Sequence, residues 1–206
     1  MTETRWWWIR HAPVIQSENR IYGQTDLPAD CSNAALFAAL AETLPRDAVL
    51  VTSDLQRAVQ TAAAIASAGL ALPKSILEPA LREQHLGDWQ GELRLEFAAK
   101  RGRDIRRFWL APAGERAPNG ESFADLVARV IPTVERLTRA HAGKDIVCVA
   151  HGGTIKAALA HALSLDYERA LSISIANCSV TRLDHMLHED PASAWRVAMV
   201  NWSPHL

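Results

Sequence analysis

The chain has 206 residues, 49% of them hydrophobic and 22% charged, with a formal net charge of −1. That is enough chain for one large soluble domain with a substantial core. The balanced charge gives no basic field of the kind that nucleic acid requires. The apolar run nearest the start, Trp6-Trp7-Trp8-Ile9, is ended by Arg10; it is far too short for a secretory core or a membrane span, so a cytoplasmic location is the default expectation. Cys31, Cys148 and Cys178 are scattered without metal-ligand spacing, so neither a disulfide framework nor a metal site is expected.

Taken in order, Arg5 to Ile9 has the composition of a buried strand. Ser32 to Leu44 carries apolar residues at helical spacing and stops at Pro45. Ala48 to Thr52 is a second apolar β-type run, and Ser53 or Asp54 is placed to cap a helix running to about Ala68, with Gly69 as its stop. Lys74 to Leu77, between Pro73 and Pro79, is a further candidate strand. Leu86 to Pro118, interrupted by Gly87, Gly91 and Gly102, reads as an inserted flap holding one or two helices. Ser122 can cap a long amphipathic helix to about Ala142, with a kink expected at Pro132. Asp145 to Ala150 is the third strong strand, and Gly153 to Leu163 the next helix. Leu171 to Ala176, Ser179 to Leu183 and Trp195 to Val200 have strand composition without helical spacers between them.

Near-continuous apolar strands alternating with helices predict a three-layer α/β/α sandwich around a mostly parallel sheet with an antiparallel edge. The expected organisation is one domain over residues 1–206, with 86–118 as a cap. Alternation along a strand covered on both faces assigns the tryptophan run to core packing rather than to base stacking. Trp89, Phe97, Phe108 and Trp109 fall in the flap, where pocket lining and plain packing both remain open.

The ends of the three strong strands deliver Arg10-His11, Ser53 to Arg57, and His151-Gly152-Gly153. In open α/β sheets that edge is where ligands bind. Helix N-termini there favour anions, and arginines supply planar donors suited to phosphate. Each hydrogen bond to such a charged group is worth roughly 1.5–3 kcal/mol. Two arginines and a histidine can therefore hold a phosphoryl group without a metal, with a second histidine as nucleophile.

These residues sit in a recognisable series. Arg10-His11, Ser53-Asp54-Leu55-Gln56-Arg57-Ala58-Val59-Gln60-Thr61-Ala62, Leu81-Arg82-Glu83 with Gly87-Asp88-Trp89-Gln90-Gly91, Asn119-Gly120-Glu121-Ser122, and Ala150-His151-Gly152-Gly153 follow in order. The series resembles the histidine phosphatase superfamily, the phosphoglycerate mutase-like group. Tyr22 to Pro28 and Gly87 to Gly91 are most similar to its α-ribazole phosphatase branch. The resemblance implies that His11 attacks phosphorus, that Arg10, Arg57 and His151 hold the phosphoryl oxygens, and that Glu83 is the acid, then base. His11 must present a neutral nitrogen, so its other nitrogen needs an acceptor such as a backbone carbonyl. Glu83 must hold a proton near neutral pH, through burial beside Trp89 or the phosphate's own charge. Asp88 and Glu121 are the competing carboxylates.

The chain departs from the family after His11, where Ala12-Pro13-Val14 stand and Ser17 holds the place of an asparagine that often touches the phosphate. Ser17, or the backbone at Gly23 and Gln24, is expected to replace that contact, beside Gly152 at the head of its helix. The implied activity is hydrolysis of a small phosphorylated metabolite, α-ribazole 5′-phosphate or a sugar phosphate, without cofactor or metal. A homodimer is the one macromolecular assembly considered. The alternatives are a phosphoglycerate mutase, which the short Leu86 to Pro118 segment disfavours, and a non-catalytic phosphoprotein-binding module, which the complete set Arg10, His11, Arg57, Glu83 and His151 disfavours. His85 is a candidate for the pocket border. His141, His161, His185, His188 and His205 are expected to be structural or on the surface.

Overall fold

The computed structural model describes residues 2–102, 109–187 and 194–204. Its centre is β1 (Glu3–Arg10), a strand whose alternate side chains enter opposite cores. Trp6 and Trp8 are fully buried on one face and stack with ring centroids 4.8 Å apart, while Ile9 enters the core on the other. Trp7 stays half-buried: its Nε1 donates to Asp145 and the Arg182 guanidinium covers its ring. The tryptophan run is thus used for packing, as alternation predicted.

The remaining elements follow in chain order: α1 (Ala34–Thr43), β2 (Ala48–Thr52), α2 (Gln56–Ser67), β3 (Ile76–Leu77), α3 (Arg94–Arg101), α4 (Phe123–Ala140), β4 (Asp145–Ala150), α5 (Gly152–Leu163), α6 (Tyr167–Ala170), β5 (Val180–Met186) and β6 (Trp195–Trp202). The sheet order is β3-β2-β4-β1-β5-β6. β1, β4, β2 and β3 run parallel, while β5 and β6 add an antiparallel edge. α1 and α2 cover one face, with Phe37, Leu40, Ala58 and Ile65 on Ile9, Val147 and Val149. α4 and α5 cover the other, with Leu126, Val130 and Ile155 on Trp6, Trp8 and Ile146. This is the three-layer sandwich expected of covered parallel strands. Cys148, at the centre of β4, is a fully buried free thiol.

Some local expectations change. Neither Ser53 nor Asp54 caps α2: its first N–H, on Gln56, donates to Asp26 Oδ1 at 2.8 Å, Asp54 pairs with Arg82, and Ser53 turns inward. Leu171 to Ala176 is not a strand; the carbonyls of Leu171 and Ile175 accept from the side chains of Lys156 and Arg10 in place of a sheet ladder. α4 starts where predicted, with Ser122 and Asp125 forming a reciprocal capping box. It runs through Pro132, where both Pro132 and Ala128 face solvent, so the hydrogen bond that proline removes falls on the wetted side. In the 86–118 segment, Leu86, Trp89, Phe97, Ala111 and Ala117 form a small core of their own with Ile21; Phe108 lies outside the described residues. Among the described residues no helix is long and apolar enough to cross a membrane.

Candidate active site

Strand register builds the site. Arg10 pairs with Ala150 across β1 and β4, and Thr52 with Val149 across β2 and β4. The next residues, His11, His151 and Ser53, therefore emerge side by side at the carboxyl edge of the parallel strands, the edge where such sheets bind ligands. The imidazoles of His11 and His151 lie with centroids 5.0 Å apart. Both are buried, at 1% and 0% exposure, and so is Arg57 at 0%.

Each side chain is fixed in a definite state. His11 Nδ1 lies 2.7 Å from the Ala12 carbonyl. A carbonyl only accepts, so Nδ1 carries the proton and Nε2 keeps its lone pair. Burial, then the Arg57 charge, lower the His11 pKa to about 3, so the ring is neutral at ordinary pH. Arg57 Nε donates to His151 Nδ1 at 3.3 Å, which puts the His151 proton on Nε2, 2.8 Å from Ser53 Oγ. Burial beside Arg57 pushes the His151 pKa well down. One N–H each of Arg57 Nη1 and Nη2 holds the carbonyls of Thr25 and Gly23, at 2.8 and 2.6 Å, leaving one N–H on each nitrogen. Arg10 donates through Nη1 to Ile175 at 2.6 Å, but its buried Nε has no partner. An orphaned guanidinium N–H beside the N-terminus of α5 suits an anionic oxygen.

Glu83 approaches from a segment without regular structure. Both carboxylate oxygens accept from the N–H of Gly153, at 3.1 and 3.2 Å, over the start of α5. A Cβ on Gly153 would meet Glu83 Oε1, so a side chain there would displace the carboxylate. Trp89 does not supply the expected apolar wall for Glu83; it packs on Phe97 and under Arg101 in the small core of the 86–118 segment. Glu121 is engaged elsewhere: Arg129 pairs with it at 2.7 Å and holds its carboxyl below the usual range despite its burial. Asp88 accepts from Asn119 in an exposed contact.

Arg10, Gly23, Glu83 and Gly152 line a cavity of about 540 Å³ together with Tyr22, Arg94, Phe97, Trp109 and Lys156. The histidines and Arg57 are not among its lining. Phe97 and Trp109 are thus pocket aromatics, whereas Trp89 serves packing. Gly23, at φ +45°, leaves no room for a side chain against Gln90 Oε1. Gln24 does not reach the cavity: its backbone N–H is held by Gln90 and its side chain donates to the Glu83 carbonyl at 2.9 Å. Ser17 is outside the cavity too; its hydroxyl turns to the Val14 carbonyl within its own turn. His85 stays out of the lining, with Nδ1 accepting from Gly87. The Ala12-Pro13 departure is absorbed locally. The Ala12 methyl is fully buried, its N–H donates to Thr61 Oγ1 at 2.8 Å, and the Pro13 carbonyl accepts from Asp30.

Sequence reasoning missed Asn177, whose Nδ2 donates to the His11 carbonyl at 2.8 Å, and Lys156, whose Nζ donates to the Leu171 carbonyl and sits 4.3 Å from the Trp109 ring centre. It also missed Arg129, which donates to the Glu83 carbonyl. Lys156 and Arg129 carried a signal: each is a cation within an otherwise apolar stripe of its helix, Lys156 among buried alanines and Arg129 between Leu126 and Thr133. Asn177 carried none.

A model of the histidine phosphatase superfamily (branch 1) matches residues 6–198. The chain belongs to that superfamily. It is 38% identical over 168 residues to a glucosyl-3-phosphoglycerate phosphatase of Mycolicibacterium vanbaalenii, covering 76% of this chain and 73% of that one. It is 33% identical over 189 residues to a 2,3-bisphosphoglycerate-dependent phosphoglycerate mutase 2 of Gloeobacter violaceus, covering 86% and 84%. The solved mycobacterial glucosyl-3-phosphoglycerate phosphatase superposes with a TM-score of 0.82 at 29% identity over 98% of this chain and all of that one. The α-ribazole phosphatase of Shigella flexneri shares the fold, at TM-score 0.77, 21% identity and 96% coverage of both chains. The superfamily thus contains phosphatases and mutases alike, and the α-ribazole likeness extends to the fold alone.

Proposed function

We propose that this superfamily member is a metal-independent phosphomonoesterase that hydrolyses a small phosphorylated metabolite through a phosphohistidine at His11, with residues 86–118 as a cap over the substrate. The carrying observation is the tautomer of His11: with Nδ1–H held by the Ala12 carbonyl, Nε2 is the free lone pair. In the first step Nε2 attacks phosphorus, the bond from phosphorus to the leaving oxygen breaks, and the Glu83 carboxyl proton passes to that oxygen. In the second, Glu83 takes a proton from water, the water oxygen bonds phosphorus, and the P–N bond returns its electrons to Nε2. The unpartnered Arg10 Nε and the remaining Arg57 N–H groups receive the phosphoryl oxygens. His151 donates from Nε2 by exchanging Ser53 for the ligand.

The likeness to a named mutase favours one second reading, in which the phosphoryl group returns to substrate rather than water. A panel of sugar, glyceryl, seryl and ribazole phosphates, assayed for released phosphate with EDTA present, separates the readings. The proposal expects chelator-insensitive release to water. Interconversion of phosphoglycerates that needs a bisphosphoglycerate primer, without hydrolysis, would replace it. Glu83→Gln is expected to lower kcat on an alkyl phosphate by roughly 10²–10⁴-fold and far less on p-nitrophenyl phosphate, whose leaving group needs little protonation; equal losses would remove Glu83 from the acid role.

A further inference from the structure

Glu83 lies in a stretch with neither helix nor strand: between the 3-10 turns at Pro79–Leu81 and Gly87–Trp89 the backbone is irregular. The N–H groups of Gln84 and Gly153 hold the carboxylate itself, but no ladder fixes the main chain that carries it, so that chain is placed by side chains reaching in. Thr154 Oγ1 donates to the carbonyls of Leu81 and Arg82 and Gln24 Nε2 to that of Glu83, and one guanidinium supplies three more. Arg129 Nη1 donates to the carbonyls of Ala80 and Arg82, at 2.8 and 2.9 Å, and Nη2 donates to that of Glu83 at 2.8 Å. Nε and Nη2 also hold Glu121, at 2.7 and 2.9 Å. Glu121 carries the brace onward: its Oε2 accepts from the His85 N–H and its carbonyl from the Gln84 side chain. The carbonyls on both sides of the acid are thus tied to one rigid, planar cation rooted in the middle of α4. Arg129 does not line the cavity.

We propose that Arg129 is the positioning residue of the general acid, setting the Glu83 main chain so that its carboxyl meets the leaving oxygen. The inference rests on the acid role assigned to Glu83 above. A lysine reaches these carbonyls with a single nitrogen and cannot reproduce the fork. Misplacement of an acid by about 1 Å costs on the order of 10²-fold, and that cost falls on substrates that need the proton.

The test compares kcat for glycerol phosphate and p-nitrophenyl phosphate in Arg129→Met, Arg129→Lys, Glu83→Gln and the Glu83→Gln/Arg129→Met double variant, each checked for folding by circular dichroism. The expected result for Arg129→Met is a loss on the order of 10²-fold on glycerol phosphate against a few-fold on p-nitrophenyl phosphate. Arg129→Lys should show the same selectivity with a smaller loss, and the double variant should be no worse than Glu83→Gln alone. Equal losses on both substrates, or losses that multiply in the double variant, would make Arg129 merely structural and overturn the inference. If Arg129→Met does not fold, Arg129→Lys carries the same comparison. Should Glu83→Gln itself fail to discriminate between the substrates while the Arg129 variants do, the acid assignment is wrong. Should Glu83→Gln discriminate while the Arg129 variants do not, only the positioning role falls.

Discussion

A histidine that must attack phosphorus works only if one nitrogen is free and unprotonated. Residue by residue, the site arranges this by removing water from His11, placing Arg57 beside it and giving Nδ1 a carbonyl. The same logic applies to Lys156 with a different outcome. Burial beside Arg10, only partly opposed by Glu83, lowers its pKa to about 8, so this cavity ammonium loses its charge just above neutrality. KM for an anionic phosphoester should therefore rise as pH passes through about 8, and Lys156→Arg, which cannot deprotonate in that range, should abolish the rise. A KM profile unchanged by that substitution would detach Lys156 from substrate binding. The linear sequence marks this lysine only as a cation among alanines; its partners, Trp109 and Leu171, lie on separate segments and were not legible.

Among elements, those whose reason is local were legible. β1, β2 and β4 are apolar runs, and the α4 cap is a four-residue pattern ending at Asp125. The strand-edge site followed from them, since parallel register alone puts His11 beside His151. Elements governed by distant partners were not legible. Asp26 rather than Ser53 caps α2, and Leu171 to Ala176 gives its carbonyls to side chains instead of a strand. Ser17 matched a motif position, but its turn leads the hydroxyl to Val14. Two outcomes belong to this scale. Asp26→Ala should destabilise the fold by about 1 kcal/mol, the usual worth of a cap, measured by urea unfolding; an unchanged midpoint would show that water replaces Asp26. Gly153→Ala should lower kcat on alkyl phosphates by roughly 10-fold or more, because its methyl displaces the Glu83 carboxylate from the start of α5. Wild-type kcat in that variant would contradict the observed contact.

For the whole molecule, the buried neutral histidines tie stability to pH. The unfolded chain binds a proton at His11 below about pH 6.5, whereas the folded chain does not until about 3. Stability at this site is therefore complete above pH 6.5 and is lost as pH falls through that window, by up to about 1.4 kcal/mol per pH unit. His151, also depressed, adds in the same direction. Urea midpoints measured from pH 7 to pH 4 should fall, and less steeply in His11→Asn. Equal slopes would mean that folding leaves the His11 pKa unchanged.

All of this converges on the bond proposed to form at His11. Rapid acid-free quenching of the enzyme mixed with a 32P-labelled phosphoester, followed by peptide mapping, tests it directly. The account predicts a transient, acid-labile phosphoryl group on the peptide carrying His11, attached at Nε2 and absent from His11→Ala. Full hydrolysis by that variant, or label found only on another residue, would contradict it.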